Sequence, residues 1–201
     1  VNIGGISNAT FVFENQDPIA FDCGPGNALV DQWMEQQAGV AFDDEGTTAA
    51  DGNPDEAIIA RYLSSPFFSK TGPKSLDRND FALDGLEGLS LADGAATLSK
   101  LTASAIVASA KQQLQMPETF IIAGGGARNK EIMRYIREGV GNHAQVMSAD
   151  QAGFDADMME AEAWAYLAVR SLKGLPLTFP STTGCREPVT GGVLAQAILA
   201  S

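Results

Sequence analysis

Apolar and polar positions alternate in short runs at the start of the chain and settle into helical periods further on. Val1-Asn2-Ile3 alternates and breaks at Gly4-Gly5. Thr10 to Phe13 is a β-rich run closed by the turn-prone Glu14-Asn15-Gln16-Asp17-Pro18, and Ile19-Ala20-Phe21 is a third short strand stopped by Gly24-Pro25-Gly26. Strands this close together predict a meander. From about Asn27, the residues Leu29, Val30, Trp33, Met34 and Gln37 fall near helical spacing, and Gly39 ends the helix. Residues 40–96 lack a sustained period and read as a helical insertion with loops, holding a short helix from Asp55 to Leu63. After Ala95 the pattern sharpens into a long Ala-rich helix carrying Leu98, Leu101, Ala105, Ile106 and Leu114. Phe120 to Ala123 is a buried-type strand running into Gly124-Gly125-Gly126. Asn129 is placed to cap the next helix, whose apolar face is Ile132, Met133, Ile136 and Val140. A short strand at Gln145 to Met147 and a last helix from about Ala156 to Leu172 complete the order.

Composition narrows the class. Hydrophobic residues make up 45% and charged residues 19% of 201 positions, which suits one large globular domain. Neither a run of about 20 apolar residues nor a secretory leader pattern occurs within the sequence. Thirteen Lys and Arg against 25 Asp and Glu give a net charge of −12 with no basic block, which argues against nucleic acid and anionic membrane as partners. Acidity does not exclude ATP, because Mg²⁺ and backbone N–H groups can carry the phosphate charge. Two distant cysteines, Cys23 and Cys185, suit a reducing compartment.

Few residues stand out as chemistry. Gly4 and Gly5 directly follow a strand, where glycine lets backbone amides approach a phosphate; a plain hairpin turn explains them as well. Gly124, Gly125 and Gly126 sit between a strand and a capped helix, a junction able to take a nucleotide, and also one found in tight crossovers. Asp22 ends a strand ahead of a glycine-shaped turn. By spacing alone it reads first as a turn-capping aspartate and second as a general base. Glu160 starts the last helix, where the dipole favours an acid; an apolar face of Met159, Ala163, Tyr166 and Leu167 would turn it towards a cleft. His143 reads as a surface loop residue and Cys23 as packing. No metal ligands are identified.

Several motifs recur here in one order: Asn2-Ile3-Gly4-Gly5-Ile6-Ser7-Asn8, Phe21-Asp22-Cys23-Gly24-Pro25-Gly26-Asn27, Pro73-Lys74-Ser75 with Asp77-Arg78, Gly124-Gly125-Gly126-Ala127-Arg128-Asn129, Met159-Glu160-Ala161, and Leu175-Pro176 with Pro180-Ser181 and Thr183-Gly184. Together they resemble the anhydro-N-acetylmuramic acid kinases over nearly the whole chain. The resemblance implies an α/β fold, a ribonuclease H-like (actin-like ATPase) half-domain with a mixed sheet, a meander followed by alternating helices and strands, and the 40–96 insertion. The 201 residues are then expected to be the C-terminal domain of a two-domain sugar kinase, inactive without an N-terminal domain that these residues do not include.

The implied reaction opens the 1,6-anhydro ring with water and phosphorylates O6 from ATP with Mg²⁺, giving N-acetylmuramate 6-phosphate in the bacterial cytoplasm. Asp22 takes the role of the base, Glu160 and Asn27 line the sugar site, and Gly4, Gly5, Gly124, Gly125, Gly126 and Asn129 serve the nucleotide. A homodimer is implied as well. Lys74-Ser75-Leu76-Asp77-Arg78 departs from the family's usual Lys-Ser-Thr-Gly-Arg, and Cys23 stands where threonine is common. Other readings are a related sugar kinase, or a half-domain that only binds nucleotide or dimerises.

Overall fold

The computed structural model describes residues 1–156 and 158–195. Strands β1 (Asn2–Ile3), β2 (Ile6–Phe11) and β3 (Ile19–Pro25) form the antiparallel meander, with a register shift at Ser7/Asn8. β4 (Thr119–Ile122) and β5 (Gln145–Ser148) pair in parallel. A parallel bridge between Asn2 and Ala123 joins the two ladders, through Ile3 N–H to the Ala123 carbonyl at 2.9 Å and Ala123 N–H to the Val1 carbonyl at 2.8 Å. The strands therefore run in the order β3-β2-β1-β4-β5, a mixed sheet within an α/β fold.

The predicted helices appear in order with shifted ends, and short helices that the periodicity does not predict are added to them. α1 (Ala28–Ala38) closes on Gly39, and the insertion supplies α2 (Thr47–Ala50), α3 (Glu56–Leu63) and α4 (Pro66–Ser69). α5 spans Leu91–Lys111, four residues earlier than the periodicity gave, because the Ser90 hydroxyl accepts from the Asp93 N–H at 3.0 Å and caps it there. Its far end stops short of Leu114, which is fully exposed. After β4 come a 3₁₀ turn (Gly125–Arg128) and α6 (Lys130–Val140); α7 (Met159–Leu172) and the short α8 (Pro180–Thr183) complete the order. No described helix is long and apolar enough to cross a membrane.

α5 is the axis of the core, and its small residues are the reason. Ala103, Ile106, Val107 and Ala110 lie with Ile3, Phe11, Phe21, Cys23, Phe120 and Ile122 of the sheet and with Ile132, Met133 and Ile136 of α6. Its first half packs Ala95, Ala96, Leu98 and Leu101 against Leu29, Val30 and Trp33 of α1, Ala49 of α2 and Ile59 of α3. A methyl on Gly94 would stand 2.2 Å from the Trp33 ring, so the helix must be bare there. Residues 40–96 are thus built into the core along α5 rather than appended to it. α7 differs: none of its residues is buried, and Trp164, Tyr166, Val169 and Leu172 are exposed.

Candidate functional site

β3 alternates faces, and that alternation places Asp22. Phe21 and Cys23 point into the core against α5, so Asp22 between them points to the opposite face, opposite Asn8 of β2. There it lines an open pocket of about 420 Å³ with Asn8, Phe21, Lys74, Ser75, Thr182 and Thr183. The loop after α4 grips Asp22 at two points. Its N–H donates to the Lys74 carbonyl at 3.0 Å, and its Oδ2 accepts from the Leu76 N–H at 2.7 Å. α8 is held over the same strand by the Ser181 hydroxyl, which donates to the Pro18 carbonyl at 2.7 Å.

A second pocket of about 350 Å³ lies beyond the end of β3, lined by Asn27, Val30, Asp31, Phe42, Asp43, Gly125, Arg128 and Asn129 among others. Asn27 is its hinge. Its N–H donates to the Gly4 carbonyl at 2.7 Å, and Gly26 and Ala28 donate to the Gly5 carbonyl at 3.0 and 3.2 Å. The turn between β1 and β2 therefore uses its carbonyls to satisfy the orphan donors at the start of α1. On its other side the Asn27 carboxamide faces Gly125 and Gly126, about 3.1 and 3.3 Å from where their methyls would stand. Burial raises the Asp31 carboxyl above the usual carboxylate range. The Asp43 carboxylate is engaged, accepting from the Thr48 and Ala49 N–H groups at 2.8 and 3.0 Å.

The expected residues separate into three places. Asp22 stands in the first pocket; Asn27, Gly125 and Asn129 line the second, with Gly4, Gly5, Gly124 and Gly126 in contact around them. Asn27, expected beside the sugar, thus falls on the glycine side. Asn129 caps α6 as read, its Oδ1 accepting from Glu131 and Ile132 N–H at 3.1 and 3.0 Å. Glu160 is exposed on α7 and lines neither pocket; of the apolar face meant to orient it, Met159 and Leu167 are half-buried and Ala163 and Tyr166 are exposed. Asp157, just before it, lies outside the described residues. Cys23 is buried and its thiol is pushed up to about 11 by that burial, which fits packing and not nucleophilic chemistry. His143 is exposed.

Asn8, Lys74, Ser75, Thr182 and Thr183 carry no role by sequence pattern alone, although the motifs contain most of them. Their signal lay in position: each sits on a strand, loop or helix that touches β3, which only the folded chain displays.

The model of the family described as anhydro-N-acetylmuramic acid kinase matches residues 1–197. Curated proteins of that description are similar to the chain: one from Agrobacterium fabrum is 54% identical over 98% of this chain and 53% of its own length. One from Brucella canis is 53% identical over 96% of this chain and 52% of its own length. One from Rhodopseudomonas palustris is 53% identical over 98% of this chain and 53% of its own length. The chain thus spans about half the length of the curated relatives it matches. Among solved structures, the activator of 2-hydroxyisocaproyl-CoA dehydratase from Clostridium difficile with bound ADPNP overlaps 74% of this chain and 52% of its own, with a TM-score of 0.42 and 15% identity.

Proposed function

The chain belongs to the anhydro-N-acetylmuramic acid kinase family, and from that premise we propose that the full-length protein opens the 1,6-anhydro ring of anhydro-N-acetylmuramic acid and phosphorylates O6 from ATP. One observation carries the role of this half. Asp22 presents a carboxylate to a polar pocket with one oxygen held by a backbone N–H. With Oδ2 engaged by Leu76, Oδ1 is the oxygen left to take a proton.

In this reading a water attacks the anomeric carbon and gives its proton to Asp22 while the bond from that carbon to O6 breaks. O6 takes the γ-phosphoryl group and ADP departs. Phosphoryl transfer asks the protein chiefly for positioning and charge stabilisation. The second pocket, with Asn27, Gly125, Arg128 and Asn129, is the nucleotide side. The family resemblance also implies Mg²⁺. Among the described residues no group of three or more His, Cys, Asp or Glu could hold a metal ion. When bound with ATP, Mg²⁺ neutralises phosphate charge, a role it commonly fills through phosphates and waters with one or two carboxylates.

The strand order β3-β2-β1-β4-β5, antiparallel then parallel, supports an actin-like ATPase half-domain, with the pockets beside β3 and beyond the end of β3. We place the full-length protein in the cytoplasm as a homodimer. The exposed apolar side chains of α7 support burial against a further protein surface.

The test uses the full-length protein with ATP and the anhydro-sugar, following ADP and the phosphorylated product. Asp22→Asn is expected to lower kcat by roughly 10²–10⁴-fold, the usual worth of a general base, with ATP binding kept. A variant with near wild-type kcat would sink the assignment. Equal turnover of N-acetylmuramic acid, which lacks the bridge, would sink the ring-opening reaction instead.

A further inference from the structure

The loop that grips Asp22 is itself held by the side chains of Lys74 and Leu76. Residues 71 to 73 and Ser75 are exposed, whereas Lys74 and Leu76 are half-buried. The Lys74 ammonium does not point at Asp22. It lies 4.6 Å from the centre of the Phe67 ring and 5.3 Å from that of Phe21, and donates to the Lys70 and Phe67 carbonyls at 3.1 and 3.4 Å. Phe67 and Phe68 of α4 pack on Ala105 of α5, and Leu76 packs against the same cluster. The chain of support therefore runs from the central helix through the Phe67 ring to Lys74, and from the Lys74 and Leu76 backbone to Asp22.

Resting on the function proposed above, we infer that Lys74 is a positioning residue. Its ammonium, seated on two aromatic faces, fixes the loop so that the Leu76 N–H stays on Asp22 Oδ2 and Oδ1 is aimed at the water. A cation over aromatic rings in a partly desolvated site is worth more than one in water, and arginine can make the same contact. Burial lowers the Lys74 ammonium below the usual lysine range, while carbonyl contacts keep a use for its protons. Nothing in this role requires Lys74 to touch the sugar or ATP.

Lys74→Met in the full-length protein keeps the stem and removes the cation. It is expected to lower kcat on the order of 100-fold, the cost of a carboxylate displaced by about 1 Å. KM for ATP should stay within about twofold, because the nucleotide side does not depend on this loop. Lys74→Arg, which keeps a cation over the two rings, should restore most of the rate, a rescue that lost packing alone would not predict. Hydrogen exchange supplies an arm independent of turnover: a peptide covering Leu76 should be protected in the wild type and in Lys74→Arg, and should exchange faster in Lys74→Met. Wild-type kcat in Lys74→Met, or unchanged protection of that peptide, overturns the inference while leaving the function intact. A wild-type protein that turns over no anhydro-sugar overturns the function instead, and the exchange measurement then still decides whether Lys74 holds the loop.

Discussion

Two glycine turns meet around Asn27, and the fold needs glycine in only one of them. After β4, Gly124 has φ +80°, and a methyl there would stand 2.6 Å from the Ile3 carbonyl oxygen. A methyl on Gly126 would stand 2.3 Å from Ile3 Cγ2. Between β1 and β2 the situation reverses. The nearest atom to a methyl on Gly4 is the Ile6 carbonyl oxygen at 3.7 Å, and to one on Gly5 the Ala28 Cβ at 3.7 Å, both ordinary contacts. A glycine run in a motif is therefore ambiguous until the packing is known. Where the interior already forbids a side chain, no ligand is needed to explain glycine. Where the interior would accept one, packing does not account for the glycine, and a hairpin turn and a ligand contact remain to be told apart by experiment.

Substitutions can break that comparison, and the largest effect is expected at Gly124. Overpacking a tight site costs about 1–3 kcal/mol, and the extended positive-φ conformation of Gly124 (φ +80°, ψ −178°) adds about 1–3 kcal/mol for a residue with a Cβ. Gly124→Ala in the full-length protein should lower the unfolding midpoint by an amount worth at least about 2 kcal/mol. An unchanged midpoint would mean that the turn relaxes freely, and the contrast between the turns would collapse. Asn129 comes next, since it lines the pocket beyond β3 yet spends its carbonyl oxygen on two N–H groups of α6. Asn129→Ala should cost about 1 kcal/mol of stability, the usual worth of an N-cap, and Asn129→Asp should keep that stability. Should Asn129→Ala raise KM for ATP without moving the midpoint, Asn129 would be a ligand contact before it is a cap.

How much of this was visible in the sequence depends on how locally each feature is made. The meander, α1, the β4 strand into its glycine turn, and α6 behind the Asn129 cap follow from short-range period and capping, and they were legible. The true start of α5 was legible too, in Ser90 three residues ahead of Asp93, but the long unpatterned insertion masked it. Lys74 was not legible as a support, because its seat is made by Phe21, 53 residues earlier, together with Phe67. Likewise the division of Asp22 and Asn27 between two pockets depends on a loop 54 residues from Asp22. The burial expected for α7 failed for a different reason. Its apolar residues are real, yet Trp164, Tyr166, Val169 and Leu172 stay exposed, and Leu177, Val193 and Leu194 only border them.

The smallest expected stability change is the one that would sharpen the comparison most. Gly5→Ala keeps the Gly5 carbonyl, which accepts from Gly26 and Ala28, so the start of α1 remains satisfied. Gly5 is exposed and not in the left-handed region, and its new methyl would meet only Ala28 at 3.7 Å. The midpoint should move by no more than about 0.5 kcal/mol in either direction, as for other exposed sites without special contacts. If the turn faces ATP, the same methyl occupies space that a phosphate needs. KM for ATP in the full-length protein should then rise on the order of tenfold, equivalent to about 1.4 kcal/mol. Kinetics and stability are separable here because the chain itself has no use for the missing side chain. A Gly5→Ala protein unchanged in both would reduce the β1–β2 turn to a hairpin and leave the nucleotide to the Gly125 side alone.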